Sequence, residues 1–129
     1  MDGSAAFQVL SPITGYEETY TEAYDINDEG TVVGTSNGRA VLWEDTNNPV
    51  DLGQPTKRSA EIKAEFINNA GQIVGWSKDG PKSRVNFMIH EGQMYNLAEL
   101  GAAYYPKQLN NWGGFTTGGS IYIPVYPEP

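Results

Sequence analysis

Short apolar runs bounded by glycine recur along the chain, and no stretch keeps a helical period. Residues 32–33 and 73–74 are β-branched pairs of this kind, which is typical of short buried strands. Residues 40–43 and 49–52 predict two further strands. Lys, Ala and Glu in residues 59–66 favour a helix, but the segment leads into an apolar run, so we predict a strand there. The pattern predicts an all-β fold.

These runs belong to an internal repeat. Residues 23–34 (AYDINDEGTVVG) recur at 64–75 (AEFINNAGQIVG) and, more loosely, at 107–116, and the aligned asparagines are 41 and 42 residues apart. Asparagine followed three residues later by glycine predicts a tight turn, because the amide caps the turn and glycine accepts a positive φ. The predicted structural positions of the repeat are Asn27, Gly30, Gly34, Asn68, Gly71, Gly75, Asn110 and Gly113.

Four strands in about 41 residues is the size of a propeller blade. We predict one domain over residues 1–129, with three antiparallel, blade-like repeats at about 18–54, 55–101 and 102–126 in a propeller-like or prism-like arrangement. The second repeat is longer, because residues 78–84 form an enlarged charged loop.

The third repeat lacks a fourth strand. We expect a strand at 7–10, which lies 42 residues before the fourth-strand position at Leu52, to complete the last blade. Three blades leave a tight centre, so the chain either closes on itself or pairs with a second copy as half of a six-bladed ring.

The pattern Ala-x-x-Ile-Asn-x-x-Gly-x-Val-Val-Gly, followed by Ala-x-Leu-Trp and Asp-Leu-Gly, resembles the HAF family of extracellular repeats. It covers residues 18–101 well and 102–126 loosely. The second copy departs at 87–89 (FMI), and the third has Thr117 in place of the last glycine. The resemblance implies a bacterial, exported, propeller-like protein and carries no catalytic residues over to this chain.

The last residues, 127–129 (PEP), resemble the motif of a PEP-CTERM sorting signal cut before its hydrophobic anchor. The alternative is a proline-rich tail. The start has no basic or apolar leader region. On this ground the protein is either cytoplasmic or has had its signal removed. The family resemblance implies an extracellular or cell-surface location, with signal and anchor both missing from this chain. We expect no membrane span within it.

Charge and composition exclude several classes of function. The net charge is −8, and seven acidic residues precede the first basic residue, Arg39. Such a surface repels a phosphate backbone, so we expect no nucleic-acid partner. The chain has no cysteine, which excludes thiolate catalysis and cysteine-ligated metal.

The candidate catalytic and metal-binding groups have simpler explanations. His90 is the only histidine, and we expect it to face solvent on a strand. Residues 25–30 lack the spacing of a calcium loop and are better explained as a turn. Glu17 and Glu18 are adjacent, so on a strand they point to opposite faces and do not form a glycosidase pair. We predict no enzymatic activity, no cofactor and no metal.

Aromatic side chains are the candidate ligand-binding groups, because they stack on sugar rings. We select Trp76, Trp112, Tyr104 and Tyr105, expecting Trp76 to enter the enlarged loop and Trp112 to lie in a turn. Trp43 is expected to fill the space between repeats.

The leading hypothesis is a non-catalytic extracellular or surface module that binds a matrix polysaccharide or a protein partner. The alternatives are a structural subunit of a self-associating extracellular assembly, with a possible homo-oligomer, and a glycan-acting hydrolase.

Overall fold

The computed structural model describes residues 8–15, 20–102, 106–117, 119 and 121–122. These residues form three antiparallel sheets and no helix, which confirms the all-β prediction. We call each sheet, in chain order, the first, second and third unit. The first unit is β1 (Thr21–Ile26), β2 (Val32–Ser36), β3 (Arg39–Trp43) and β4 (Pro49–Asp51). The second is β5 (Ser59–Ile67), β6 (Ile73–Asp79), β7 (Arg84–His90) and β8 (Gln93–Asn96); the third is β9 (Gln108–Leu109), β10 (Phe115–Thr116) and β11 (Ile121–Tyr122).

The strands of the first two units pair in the same order and with equivalent register. In both, the second strand pairs with the first and third strands, and the third strand pairs with the fourth. Val33 pairs with Leu42, and at the equivalent positions Val74 pairs with Met88. In the described part of the chain, the third unit has equivalents of only the first three strands, and each of them is two residues long.

The charged loop of the second unit is shorter than expected. Strands β6 and β7 continue past the predicted strand ends, so Lys78 and Arg84 are cross-strand partners. The Asp79 amide donates to the Ser83 carbonyl at 2.8 Å, and only residues 80–83 remain outside the ladder.

Each of the three predicted turns closes in the same way. The glycine amide donates to the asparagine carbonyl at 3.0–3.2 Å, and the glycine has a φ of 81–84°. The asparagine Oδ1 accepts the amide four residues later at 2.8–2.9 Å. Because only glycine takes such a φ without strain, the Asn-x-x-Gly spacing determines where each hairpin turns.

The glycines of the Val-Val-Gly motif have a different role. A Cβ on Gly34 would lie 2.0 Å from the Glu22 carbonyl oxygen, and a Cβ on Gly75 would lie 2.0 Å from the Lys63 carbonyl oxygen. The register of the first strand shifts at this level in both units, which brings its backbone against the second strand. The bulged first strand therefore requires a residue without a side chain opposite it.

Consecutive units pack face to face. We call the face toward the next unit distal and the face toward the preceding unit proximal. One core cluster joins the distal face of the first unit to the proximal face of the second: Val33, Ala40, Leu42 and Leu52 with Ile62, Ala64, Ile67, Ile73, Phe87, Ile89 and Met94. A second cluster joins the second unit to the third: Phe66, Val74, Met88 and Leu97 with Ala102, Leu109, Phe115 and Tyr122.

The prediction that residues 7–10 complete the last blade is wrong for the described residues 8–10. They contain no strand, and the segment lies on the first unit instead. The Trp43 indole donates to the Ser11 carbonyl at 2.9 Å, and the Ile13 amide donates to Ser36 Oγ at 3.0 Å. Trp43 and Ser36 are both fully buried, so the segment finds its partners there and not at the third sheet. Phe7 lies outside the described residues.

Neither core cluster of the described residues joins the first unit to the third. A closed propeller or prism therefore stays a prediction.

We expect Gly75→Ala to lower the free energy of unfolding by about 3 kcal/mol, the upper end of ordinary overpacking costs, because its Cβ would overlap backbone. Urea unfolding measures this change. The matched control is Gly119→Ala, where a Cβ meets nothing within 4 Å. Equal midpoints for the two variants would show that the close approach at Gly75 is not a constraint.

Candidate functional site

The strongest candidate site surrounds Trp76. This residue lies within β6, where its Cα pairs with Lys63 of β5 and with Asn86 of β7. The Lys63 Nζ is 5.2 Å from the centroid of the Trp76 ring, and the Arg84 Cζ is 3.8 Å from it. The Lys63 Nζ is also 5.8 Å from the ring centroid of Tyr24 in β1. We call Tyr24, Lys63, Trp76 and Arg84 the aromatic–basic cluster.

Cation–π attraction holds the two basic groups in place. Cations within about 6 Å of an indole or phenol centroid are attracted by the ring quadrupole. Trp76 is half-buried, and its indole N–H donates to the Glu65 carboxylate. The ring is thus fixed through its edge, and the flexible Lys63 and Arg84 side chains are fixed over it. Because these two side chains are already held in place, less side-chain entropy is lost when they bind a ligand.

A carboxylate on β1, an edge strand of the first unit, borders the cluster. Glu22 accepts hydrogen bonds from the hydroxyls of Tyr20 and Tyr24. These bonds, with a smaller contribution from the Lys63 charge, lower the pKa of Glu22 below its ordinary range. In turn, burial first and the Glu22 hydrogen bond second raise the pKa of Tyr24. Tyr24 is therefore a neutral phenol and Glu22 an anion across the physiological range.

The second unit is basic, although the chain as a whole is acidic. Six of the eight Lys and Arg residues lie between residues 57 and 84, a segment that holds only three acidic residues, so the segment carries a net charge of +3 while the whole chain carries −8. The basic residues are Lys57, Arg58, Lys63, Lys78, Lys82 and Arg84. Analysis of the sequence missed this cluster, although charge counted in windows would have found it.

A groove of about 280 Å³ opens next to the cluster, between the first and second units. Its lining includes Lys63 and also Tyr20, Thr35, Gly38 and Glu61. Glu61 forms a salt bridge of 2.7 Å with Lys78 and has a positive φ of 51° in the bulge of β5. The groove therefore has a basic and aromatic wall with an ion pair at its edge.

The structure separates the predicted aromatic residues. Trp112 lies in the turn of the third unit, as expected, and is 86% exposed. Trp76 lies inside a strand and not in the charged loop, which corrects the predicted position. Trp43 is buried, as expected of a residue between repeats. Tyr104 and Tyr105 lie outside the described residues, and among those described no contact joins Trp76 to Trp112.

The remaining polar candidates have structural partners. His90 is half-buried rather than solvent-facing, and its Nδ1 lies 2.8 Å from the Gln72 amide nitrogen. Asp25 accepts the amides of Ile26 and Ile67, so its oxygens serve the junction between units. Across the described ranges, no three His, Asp or Glu side chains converge as a metal site would require. Glu17 and Glu18 lie outside those ranges.

Comparison with protein-family models found no match, and comparisons with curated proteins and with solved structures found none either. A search of the described residues also found no helix with the length and apolarity that crossing a membrane requires.

The protonation of Tyr24 gives a test of the cluster. Its raised pKa means that the folded state favours the neutral phenol, so the stabilisation is complete below about pH 10, the ordinary tyrosine pKa, and is lost as the pH rises through the folded value. Ultraviolet titration of the wild type minus Tyr24→Phe isolates this phenol among the eight tyrosines. We expect its pKa above 10 and a decrease in Glu22→Gln; a pKa at or below 10 would contradict the described contacts.

Proposed function

We propose that this chain is a non-catalytic repeat module that binds an acidic matrix polysaccharide through the aromatic–basic cluster. The observation that carries the proposal is the position of Lys63 and Arg84 over the Trp76 ring, with 5.2 and 3.8 Å between charge and centroid. Two cations and an indole in one place match a sugar that carries a carboxylate or a sulfate. The guanidinium binds such an anion with two parallel hydrogen bonds.

The charge distribution supports the same ligand. The acidic remainder of the chain repels a polyanion in general, so a polyanion is guided toward the one basic segment, residues 57–84. The groove lined by Lys63 and Tyr20 gives a bound sugar residue room next to the cluster. Affinity for neutral sugars alone does not need two fixed cations, which is why we favour an acidic polymer.

A protein partner is the second candidate, and it follows from the same cluster. An acidic peptide segment offers the carboxylates that Lys63 and Arg84 bind, without a sugar ring to stack. A surface or extracellular location and membership of the HAF repeats belong to the same proposal. Both come from the sequence resemblance, and the Asn-x-x-Gly turns are compatible with them.

Binding should depend on Trp76 and not on Trp112. We expect the protein to bind a polyuronate more tightly than neutral dextran in affinity electrophoresis and calorimetry. Trp76→Ala should weaken binding by at least about tenfold, which is 1.4 kcal/mol, because both cations lose their support. Trp112→Ala is the matched control, since it removes an exposed indole from a distant turn.

Arg84→Gln and Lys63→Gln separate charge from stacking. Each should reduce binding and flatten its dependence on salt, because screening acts on the ion pairs. Equal affinity for polyuronate and dextran, or loss of binding in Trp112→Ala alone, would overturn the proposed site. An acidic peptide that binds while polyuronate does not would shift the function to a protein partner.

A further inference from the structure

Hydrogen bonds between turns join the units in one direction. The Asn27 Nδ2 donates to the Asn68 carbonyl at 3.1 Å, and the Asn68 Nδ2 donates to the Asn110 carbonyl at 2.8 Å. The residues that follow repeat the pattern. The Asp28 amide donates to Asn69 Oδ1 at 2.8 Å, and the Asn69 amide donates to Asn111 Oδ1 at 2.9 Å. The same pair of bonds therefore forms at both junctions, and each unit donates to the next.

The two ends of this row are complementary. At the third unit, the Asn110 Nδ2 and the Asn111 amide are the two groups that would donate to a further unit. Neither has an acceptor among the described residues. At the first unit, the Asn27 carbonyl accepts only the Gly30 amide among described donors, whereas the Asn68 carbonyl accepts two donors. The Asp28 carboxylate stands where Asn69 and Asn111 offer Oδ1. Its Oδ2 accepts from the Asn69 Nδ2 at 2.7 Å, and its Oδ1 has no donor among the described residues. A carboxylate oxygen binds a donor more strongly than an amide oxygen does.

Apolar exposure marks the same two faces. Ile67, on the proximal face of the second unit, is 6% exposed, but its equivalent Ile26 on the first unit is 61% exposed. On the third unit, Ile121 pairs with Thr116 as Leu42 pairs with Val33 in the first, and Ile121 is 75% exposed. At the first junction, Leu42 and Ile67 share a core cluster. Residues 11–13 already cover Trp43 and Ser36 on the proximal face of the first unit, so Ile26 and the neighbouring turn are the part of that face left open. Ile121 and Ile26 can thus repeat part of a contact that the protein already makes internally.

Charge and shape agree with this match. The described part of the third unit carries one charged side chain, Lys107, and no acid. The first unit carries four acids on β1 and the turn that follows it: Glu22, Asp25, Asp28 and Glu29. A groove of about 440 Å³ runs beside the third unit, with Phe66 of the second unit and Gln108, Asn110, Thr116 and Ile121 of the third in its lining.

We propose that a second copy of this chain places its first unit on the distal face of the third unit, so that the row of turns continues from copy to copy. The Asn110 Nδ2 then donates to the second copy's Asn27 carbonyl, the Asn111 amide to its Asp28 carboxylate, and Ile121 packs on its Ile26. The contact is head to tail, because each copy uses a different face. It is separate from the polysaccharide site, which lies where the first and second units meet.

Ile26→Lys and Ile121→Lys test this contact without disturbing a core, since both side chains are exposed. We expect the wild type to form dimers or larger assemblies in concentration-dependent sedimentation. Each variant alone should be monomeric, with association at least about tenfold weaker. Val50→Lys is the matched control, because Val50 is 50% exposed and, as the cross-strand partner of Leu42, lies on the distal face of the first unit, which the proposed contact does not use. It should associate as the wild type does.

A mixture of the two variants makes the test specific. Ile26→Lys keeps an intact third unit and Ile121→Lys keeps an intact first unit, so an equimolar mixture should form a dimer of one chain of each and nothing larger. A wild type that stays monomeric at millimolar concentration would overturn the proposal. So would a dimer that persists in either variant alone, or a mixture that remains monomeric.

Discussion

The asparagine at each turn is the group on which the rest of the structure depends. Its Oδ1 closes its own hairpin, and its Nδ2 donates to the carbonyl of the equivalent asparagine in the next unit. Asn68, which performs both roles between two neighbours, is only 4% exposed. One side chain thus determines where a strand turns and how the following sheet is placed. Its loss would leave buried backbone groups without partners.

The packing of the sheets follows from this alignment. Turns held 41 or 42 residues apart bring the distal face of one unit onto the proximal face of the next, so Leu42 meets the cluster around Ile67. The bulge in β1 and β5 then brings backbone against Gly34 and Gly75. The bulged first strands also bring Tyr24 and Lys63 together near Trp76, which ties the candidate binding site to the geometry of the repeat.

Local features of this fold could be predicted from the sequence, and long-range ones could not. Turn positions depend on an asparagine and a glycine three residues apart, and the strand at 59–67 depends on the apolar run into which it leads. The attachment of residues 8–13 to the first unit depends on the Trp43 indole and Ser36, which no spacing reveals. The sequence indicates Trp76 only as an aromatic group. Its cations come from β5 and β7, and tertiary structure alone shows that they converge on its ring.

Hydrogen exchange at the turn amides tests the role of the asparagine row most directly. The amides of Asp28 and Asn69 lie in exposed turns, where only the side chain of the next unit accepts them. The account predicts that both are protected in the wild type, and that Asn111→Ala removes the protection of the Asn69 amide while that of Asp28 remains. Exchange of both wild-type amides at the rate of an unstructured peptide would contradict it.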